Sequence, residues 1–137
     1  MSTSNQCRRL AFGSESERAK LRNSPYPPPH SVKETELMHL IRGALAATGK
    51  FLIWRNSVGF DADAKVRYGL GVGSADLVGV HKPTGTLCAW EIKTPTGRVR
   101  PEQIIWMNAI NAANGHAFIV RSVEEAMATL KVIEGNR

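Results

Sequence analysis

Apolar side chains recur at helical spacing near the start of the chain and form short unbroken runs further on. In SVKETELMHLIRGALAATG, residues 31–49, apolar residues return every three or four positions, which is the period of a helix buried on one face. Ser31 is a candidate N-cap with Glu34 at the third helical position, and Gly49 is a typical stop signal. The pattern predicts a first helix over about residues 32–48.

Three short apolar runs follow this helix, and their lengths are typical of strands. They are FLIW at 51–54, ADLVGV at 75–80 and TLCAWEIK at 86–93. The turn sequence HKPTG joins the last two runs, which predicts a hairpin. The first two runs are separated by NSVGFDADAKVRYGLGVGS, a glycine-rich charged segment that we interpret as one long functional loop.

The remainder of the chain returns to alternating helix and strand signals. Pro101 suits the first turn of a helix that ends near Asn114, and AFIV at 117–120 is typical of a strand. SVEE at 122–125 is a capping box that opens a last helix. The predicted order is αβββαβα, which indicates an α/β fold with a small mixed β-sheet flanked by helices.

The N-terminal segment differs in composition from the rest. Residues 1–30 mix serine, asparagine, arginine and glutamate and end in SPYPPPH, whose prolines favour an extended polyproline II conformation. We predict a flexible or docking tail over residues 1–30. Residues 31–137 are then one domain, as expected for a chain of 137 residues.

Charge and cysteine content narrow the class of protein. Lysine and arginine number 18 against 12 aspartates and glutamates, a formal net charge of +6, so a polyanionic partner is expected if the charge is clustered. Two cysteines are too few for a disulfide framework, which favours a reducing cytoplasm. No apolar run approaches the roughly 18 residues of a membrane helix. The sequence therefore predicts a soluble cytoplasmic protein, with nucleic acid among its candidate partners.

Charged residues occupy strand positions where carbon is normally buried. Alternation along the strand puts Glu91 and Lys93 on one face and Trp90 on the other, and hairpin pairing would bring Asp76 to the first face. Neighbouring carboxylates resist joint ionisation unless a cation offsets their repulsion, and hard oxygen ligands suit Mg²⁺ or Mn²⁺. The alternative is an ordinary exposed pair of Glu91 and Lys93 at a sheet edge.

This arrangement of acids and lysine on a hairpin resembles the PD-(D/E)XK nuclease superfamily. More narrowly, three stretches are similar to the VRR-NUC family, the virus-type replication and repair nucleases: KETELMHLIRGALAATGKFLIWRN, GSADLVGV and WEIKTPTGRVRPEQIIWMNAINAANGHAFIV. The resemblance covers about residues 33–130. It implies a restriction-endonuclease-like core and a DNA endonuclease that depends on Mg²⁺ or Mn²⁺.

The resemblance also implies which residues bind the metal. Asp76 and Glu91 match the family's metal ligands, and the backbone carbonyl of Ile92 is implied as a further ligand. Whether one or two ions bind stays open. Ala75 stands where the superfamily's name has proline, a variation that the family tolerates.

Three more positions match the family's catalytic residues. Lys93 would orient or activate the attacking water, and Gln103 would contact that water or the lysine. The family's first-helix glutamate falls on Glu34, and Glu36 is the alternative.

Basic residues lie in or beside the loops predicted to flank the acidic end of the sheet, where they could bind phosphates or remain simply solvated. They are Arg55, Lys65, Arg67, Arg98 and Arg100. The resemblance adds branched DNA, such as four-way junctions or flaps, a homodimer, and a bacterial or phage-infected host cytoplasm. The dimer contact could use the helix 101–114 or the arm 24–30. A non-catalytic DNA-binding or docking module and an enzyme acting on RNA remain alternatives.

Overall fold

The computed structural model describes residues 33–135, so the predicted tail and Ser31 lie outside the described part of the chain. The predicted start of the first helix is wrong, because Lys33 is its N-cap and Glu34 is its first residue, where the third helical position was expected. The elements in chain order are α1 (Glu34–Ala47), β1 (Phe51–Arg55), β2 (Gly59–Asp61), β3 (Val66–Tyr68), β4 (Leu77–His81), β5 (Thr86–Ile92), α2 (Pro101–Ala112), β6 (His116–Val120) and α3 (Val123–Glu134). None of the helices between residues 33 and 135 has the length and apolar character needed to cross a bilayer.

The main sheet is mixed, which confirms the predicted fold class. Its strand order is β1, β4, β5, β6. The predicted hairpin forms because β4 pairs antiparallel with β5, and Leu77 lies opposite Trp90 in its register. β6 pairs parallel with β5, an arrangement that the intervening helix α2 makes possible.

One face of the sheet packs against α1 and α3. Trp90 and Ile92 of β5 are fully buried there with Ile41 and Leu45 of α1. The indole Nε1 of Trp90 donates a hydrogen bond to Oγ1 of Thr129 in α3 over 3.0 Å, so its polar atom is satisfied inside the core. This face holds the larger hydrophobic core of the domain.

The opposite face of the sheet is covered by α2. Ala89 of β5, Ile119 of β6 and Met107 of α2 form its smaller apolar core. Because successive side chains of a strand alternate, Glu91 shares this face with Ala89. The strand period therefore aims a carboxylate at the N-terminal half of α2.

The predicted uninterrupted loop between β1 and β4 is wrong. β2 and β3 form a separate two-stranded hairpin within it, so the described order has two more strands than expected. Phe60 and Tyr68 are more than half exposed. The hairpin buries neither face in the main core, and for that reason its sequence shows no apolar alternation. Oδ1 of Asp61 accepts hydrogen bonds from the backbone N–H groups of Asp63 and Ala64, which fixes the turn.

The helix start predicted at Ser122 is present, with one change in the capping box. Oγ of Ser122 accepts from the backbone N–H of Glu125 over 3.1 Å, as predicted. The carboxylate of Glu125 accepts from the backbone N–H of Arg121, one residue before the expected N-cap donor.

Candidate active site

A polar cleft of about 440 Å³ opens at the end of the sheet where β4 begins and β5 ends. The N-terminal turns of α1 and α2 and the end of β1 complete its walls. The cleft brings together all of the predicted catalytic side chains, which are Glu34, Asp76, Glu91, Lys93 and Gln103. Residues from four separate parts of the chain therefore meet in one small volume.

Asp76 is fixed across the hairpin by the backbone of β5. It directly precedes β4, and its Oδ2 accepts a hydrogen bond from the backbone N–H of Ile92 over 2.9 Å. The register of β4 and β5 places Asp76 beside Glu91. The structure thus uses the N–H of Ile92 to orient a carboxylate, and a metal contact from the Ile92 carbonyl stays a prediction.

Glu91 is almost completely buried, with 3% of the residue exposed. Its Oε1 accepts a hydrogen bond from Nε2 of Gln103 over 2.8 Å and lies 3.6 Å from Nζ of Lys93. Its other carboxylate oxygen, Oε2, is buried without a hydrogen-bond partner among residues 33–135. Ionisation of a buried oxygen that lacks a donor is costly, so the ionised form of Glu91 requires a ligand at this atom.

Burial is the main cause that raises the pKa of Glu91 from an ordinary value of 4.5 to about 8. The negative charge of Asp76 raises this pKa further, and the positive charge of Lys93 opposes it. Hydrogen bonding between the carboxyl groups of Asp76 and Glu91, which requires a proton on one of them, also raises this pKa, and Glu34 contributes a smaller repulsion. With both carboxylates ionised, the site would hold more negative charge than one lysine neutralises.

Lys93 is buried together with Glu91, and its side chain is 10% exposed. Its backbone N–H donates to the carbonyl of Val120, which continues the pairing of β5 with β6. The alternative interpretation, an exposed ion pair at a sheet edge, is wrong because both residues are buried and β5 is a central strand of the sheet.

Gln103 contacts Glu91 and not Lys93. It is the third residue of α2 and is 3% exposed. While Nε2 donates to Glu91, its Oε1 accepts from the backbone N–H of Arg100 over 2.9 Å. Pro101 begins the helix as predicted. Gln103 therefore caps α2 and orients a carboxylate at the same time.

The other predicted residues divide by their distance from the cleft. Glu34 lines the cleft from the first turn of α1, whereas Glu36 is exposed and is not among the lining residues. Arg55 and Arg100 also line it. The remaining predicted DNA-binding residues lie outside the lining: Lys65 and Arg67 are on the exposed β2–β3 hairpin, and Arg98 is in the loop between β5 and α2.

The donor set fits a hard divalent cation that keeps much of its hydration. No group of three or more histidine, cysteine, aspartate or glutamate side chains within residues 33–135 could enclose a metal ion. Asp76 and Glu91 offer two neighbouring carboxylates, one of them with an unpartnered oxygen. Mg²⁺ is commonly bound through one or two carboxylates, with waters and substrate oxygens as its other ligands. Mn²⁺ suits the same carboxylate and water ligands.

Asn56 and Ser74 also line the cleft, and neither is among the residues predicted from the sequence. Nδ2 of Asn56 donates to Oγ of Ser74 over 2.7 Å. The available signal was weak: a polar residue directly after a short apolar run, and a serine at the end of a glycine-rich segment. Eighteen residues separate the two, so spacing alone does not show the contact.

Two comparisons with known proteins bear on the family and the fold of this chain. The family model described as the VRR-NUC domain matches residues 53–124, which is more than half of the chain. A solved structure titled "VRR_NUC domain" superimposes with a TM-score of 0.55 at 18% identity, covering 72% of this chain and 94% of that one, and shows that the fold is shared. No curated protein matches. The chain belongs to the VRR-NUC family, whose domains are of the nuclease type.

Proposed function

We propose that this protein is a metal-dependent endonuclease that hydrolyses phosphodiester bonds in DNA, with Mg²⁺ or Mn²⁺ as its cofactor. The observation that carries the proposal is the pairing of Asp76 with Glu91, whose Oε2 is buried and unpartnered among the described residues. Ionisation of both carboxylates inside the fold requires a cation to offset their repulsion, and a bound divalent metal ion would supply it.

Each side chain then has a role set by its position. Asp76 and Glu91 would hold a divalent ion, whose chemistry when bound is to neutralise charge on the scissile phosphate and to favour ionisation of water. Asp76 is held by the N–H of Ile92, and Glu91 by the amide of Gln103, so both ligands are oriented before the metal binds. The ammonium of Lys93 lies 3.6 Å from Glu91 and would orient the attacking water and offset charge on the phosphorane.

Basic side chains at the rim support an anionic polymer as the substrate. Arg55 and Arg100 line the same cleft as the acids. The side chain of Arg100 is 68% exposed, and its Nε lies 3.7 Å from Oε1 of Glu102, a weak contact that phosphate can replace. These two arginines would hold the backbone on either side of the scissile bond.

Preference for branched DNA and action as a homodimer are the finer parts of the proposal. Each chain provides one carboxylate pair in its described residues, whereas a four-way junction has two equivalent strands to cut. A two-fold dimer matches that symmetry. Ile105 of α2 is 69% exposed and supports the helix as a contact surface.

The proposal is tested by incubating the purified chain with labelled linear, flap and four-way-junction DNA in Mg²⁺, Mn²⁺ or EDTA. Cleavage by the wild type, none in EDTA, and a loss of several orders of magnitude in Asp76→Asn are expected. A single-stranded RNA of the same sequence tests the alternative substrate. DNA binding without cleavage in any metal would support the non-catalytic module, and wild-type rates in Asp76→Asn would refute the site.

A further inference from the structure

Asn56 joins the end of β1 to the residue that carries the first carboxylate. It directly follows β1 and is half-buried in the wall of the cleft. Its backbone N–H donates to the carbonyl of Asp76 over 2.8 Å, one step beyond the pairing of Arg55 with Leu77. The backbone at Asp76 is therefore held by β1 as well as by the hairpin with β5.

The side chain of Asn56 forms its hydrogen bonds with other residues of the protein. Its Nδ2 donates to Oγ of Ser74 over 2.7 Å and to the carbonyl of Ala75 over 2.9 Å. Its Oδ1 accepts from the backbone N–H of Leu70 over 3.2 Å. An asparagine amide has two N–H donors, and both are used here, so Asn56 cannot also donate to a substrate.

These bonds hold a segment that would otherwise have wide conformational freedom. Residues 69–75 contain three glycines with positive φ, Gly69, Gly71 and Gly73, and join the β2–β3 hairpin to Asp76. Ser74 extends the hold, because its Oγ donates to the carbonyl of Gly71 over 2.7 Å. We call residues 69–75 the glycine segment.

The glycine segment also touches the element that carries the partner of Glu91. A Cβ added at Gly73 would lie 2.3 Å from the carbonyl oxygen of Glu102, so the backbone at Gly73 lies directly against the first turn of α2. The next residue, Gln103, donates to Glu91. The glycine segment therefore leads directly into Asp76 and also packs against the turn of α2 that orients Glu91.

We propose that Asn56 is a positioning residue, which sets the geometry of the two carboxylates by holding the glycine segment. This inference rests on the proposed function, because it takes Asp76 and Glu91 as metal ligands. Loss of Asn56 should loosen the ligand pair while leaving the arginines at the rim in place. Metal affinity and turnover then fall, and DNA affinity does not.

The test compares Asn56→Ala with Asn111→Ala in the full chain. Asn111 also uses its amide to bridge the backbone, with Oδ1 accepting from the N–H of Ala117 over 3.0 Å, but it lies outside the cleft lining at the far end of α2. Mn²⁺ binding is measured by calorimetry or electron paramagnetic resonance, and half-saturating Mg²⁺ is measured from cleavage. Amide exchange of residues 70–76 is followed without metal.

Asn56→Ala should raise the metal concentration at half-saturation about 10- to 100-fold, the usual effect of losing a residue that supports a ligand. Excess Mg²⁺ should restore part of the rate, residues 70–76 should exchange faster, and DNA affinity in EDTA should stay within about twofold. Asn111→Ala should leave the metal dependence unchanged. Asn56→Asp keeps the acceptor for Leu70 but loses both donors, so it provides a second variant if the alanine protein does not fold.

Metal dependence equal to wild type in both Asn56 variants would overturn the inference and leave the proposed function standing. Equal shifts in Asn56→Ala and Asn111→Ala would also overturn it, because they would reflect general destabilisation. A wild-type protein that binds no Mn²⁺ and cuts no DNA would overturn both proposals.

Discussion

Gln103 donates a hydrogen bond from Nε2 to Oε1 of Glu91 over 2.8 Å, although the two residues lie on different elements and 12 positions apart. The opposite end of the amide accepts from the N–H of Arg100, which fixes which atom faces the glutamate. One carboxylate oxygen is thereby tied to the protein. The other, Oε2, is left for a ligand from outside the described residues.

This contact predicts the effect of removing the amide. Gln103→Ala should lower metal affinity and cleavage about 10- to 100-fold, because Glu91, the proposed ligand, loses its orienting donor. Mg²⁺ titration of junction cleavage and direct Mn²⁺ binding measure both effects. Gln103→Glu should be worse than alanine, because it places a third carboxylate against the pair. An alanine variant with wild-type metal dependence would contradict the role assigned to the amide.

The raised pKa of Glu91, about 8 against an ordinary 4.5, predicts how metal-free stability varies with pH. A group whose folded pKa is raised favours folding in its protonated form. Its stabilisation is fully present below about pH 4.5 and is lost as pH rises through 8. The metal-free wild type should therefore lose stability between pH 5 and 8 relative to Glu91→Gln, which stays neutral. Since each pKa unit corresponds to about 1.4 kcal/mol, the difference should reach a few kcal/mol.

Chemical denaturation of both proteins in EDTA at pH 5, 6.5 and 8 measures this difference. Other titrating groups contribute equally to both proteins and cancel to a first approximation. Mg²⁺ should stabilise the wild type at pH 8 and should not stabilise Glu91→Gln to the same extent. A stability difference that does not change with pH would contradict the raised pKa of Glu91 in the folded protein.

The acidic end of the sheet could be predicted from local sequence, because a hairpin with a short turn allows few alternative strand registers. A period of two and the short turn HKPTG fix which side of the strand Glu91 and Lys93 occupy, and the same register brings Asp76 beside them. Apolar runs that are buried on both faces identify β4 and β5 with little ambiguity. This part of the site followed from residues less than twenty positions apart.

The remainder depends on contacts that no local pattern records. The β2–β3 hairpin is exposed on both faces, so burial leaves no period in its sequence. The partner of Gln103 is decided by how α2 lies across the sheet, and that of Asn56 by the path of the glycine segment. Both side chains bond across long intervals of chain, where composition gives no guide to the pairing.

The close approach of Gly73 to α2 gives a prediction with a matched control. Gly73→Ala and Gly71→Ala both place a side chain at positive φ, +82° and +102°, which costs about 1 to 2 kcal/mol in each case. A Cβ at Gly71 has no neighbour within 4 Å, whereas one at Gly73 meets the carbonyl of Glu102 at 2.3 Å. Gly73→Ala should therefore unfold at a lower temperature and need more Mg²⁺. Equal melting temperatures for the two variants would show that the contact with α2 is not tight in solution.

The basic rim predicts a salt dependence that differs between positions. If Arg55 and Arg100 each hold a phosphate, substitution of either by alanine should flatten the log-log plot of affinity against salt by about one unit. Lys82 is the control, because it lies in the turn after β4, at the end of that strand away from Asp76. Lys82→Ala should leave the slope unchanged. Binding by the wild type that does not vary with salt would reject phosphate contacts at the rim.

The proposed dimer predicts a coupled change in mass and cleavage pattern. Light scattering at micromolar concentration should report about twice the chain mass of 15.0 kDa, and a four-way junction should yield paired, symmetric nicks.

Ile105→Glu should shift the protein towards the monomer, because it places a charge on the exposed face of α2. Val132→Glu, at a partly exposed position of α3, is the matched control and should stay dimeric. Because one chain supplies one carboxylate pair in its described residues, the Ile105 variant should still nick one strand while losing paired cleavage. A wild-type monomer that cuts linear duplex and junction equally well would reject the dimer and the branch preference, and it would leave the metal site untouched.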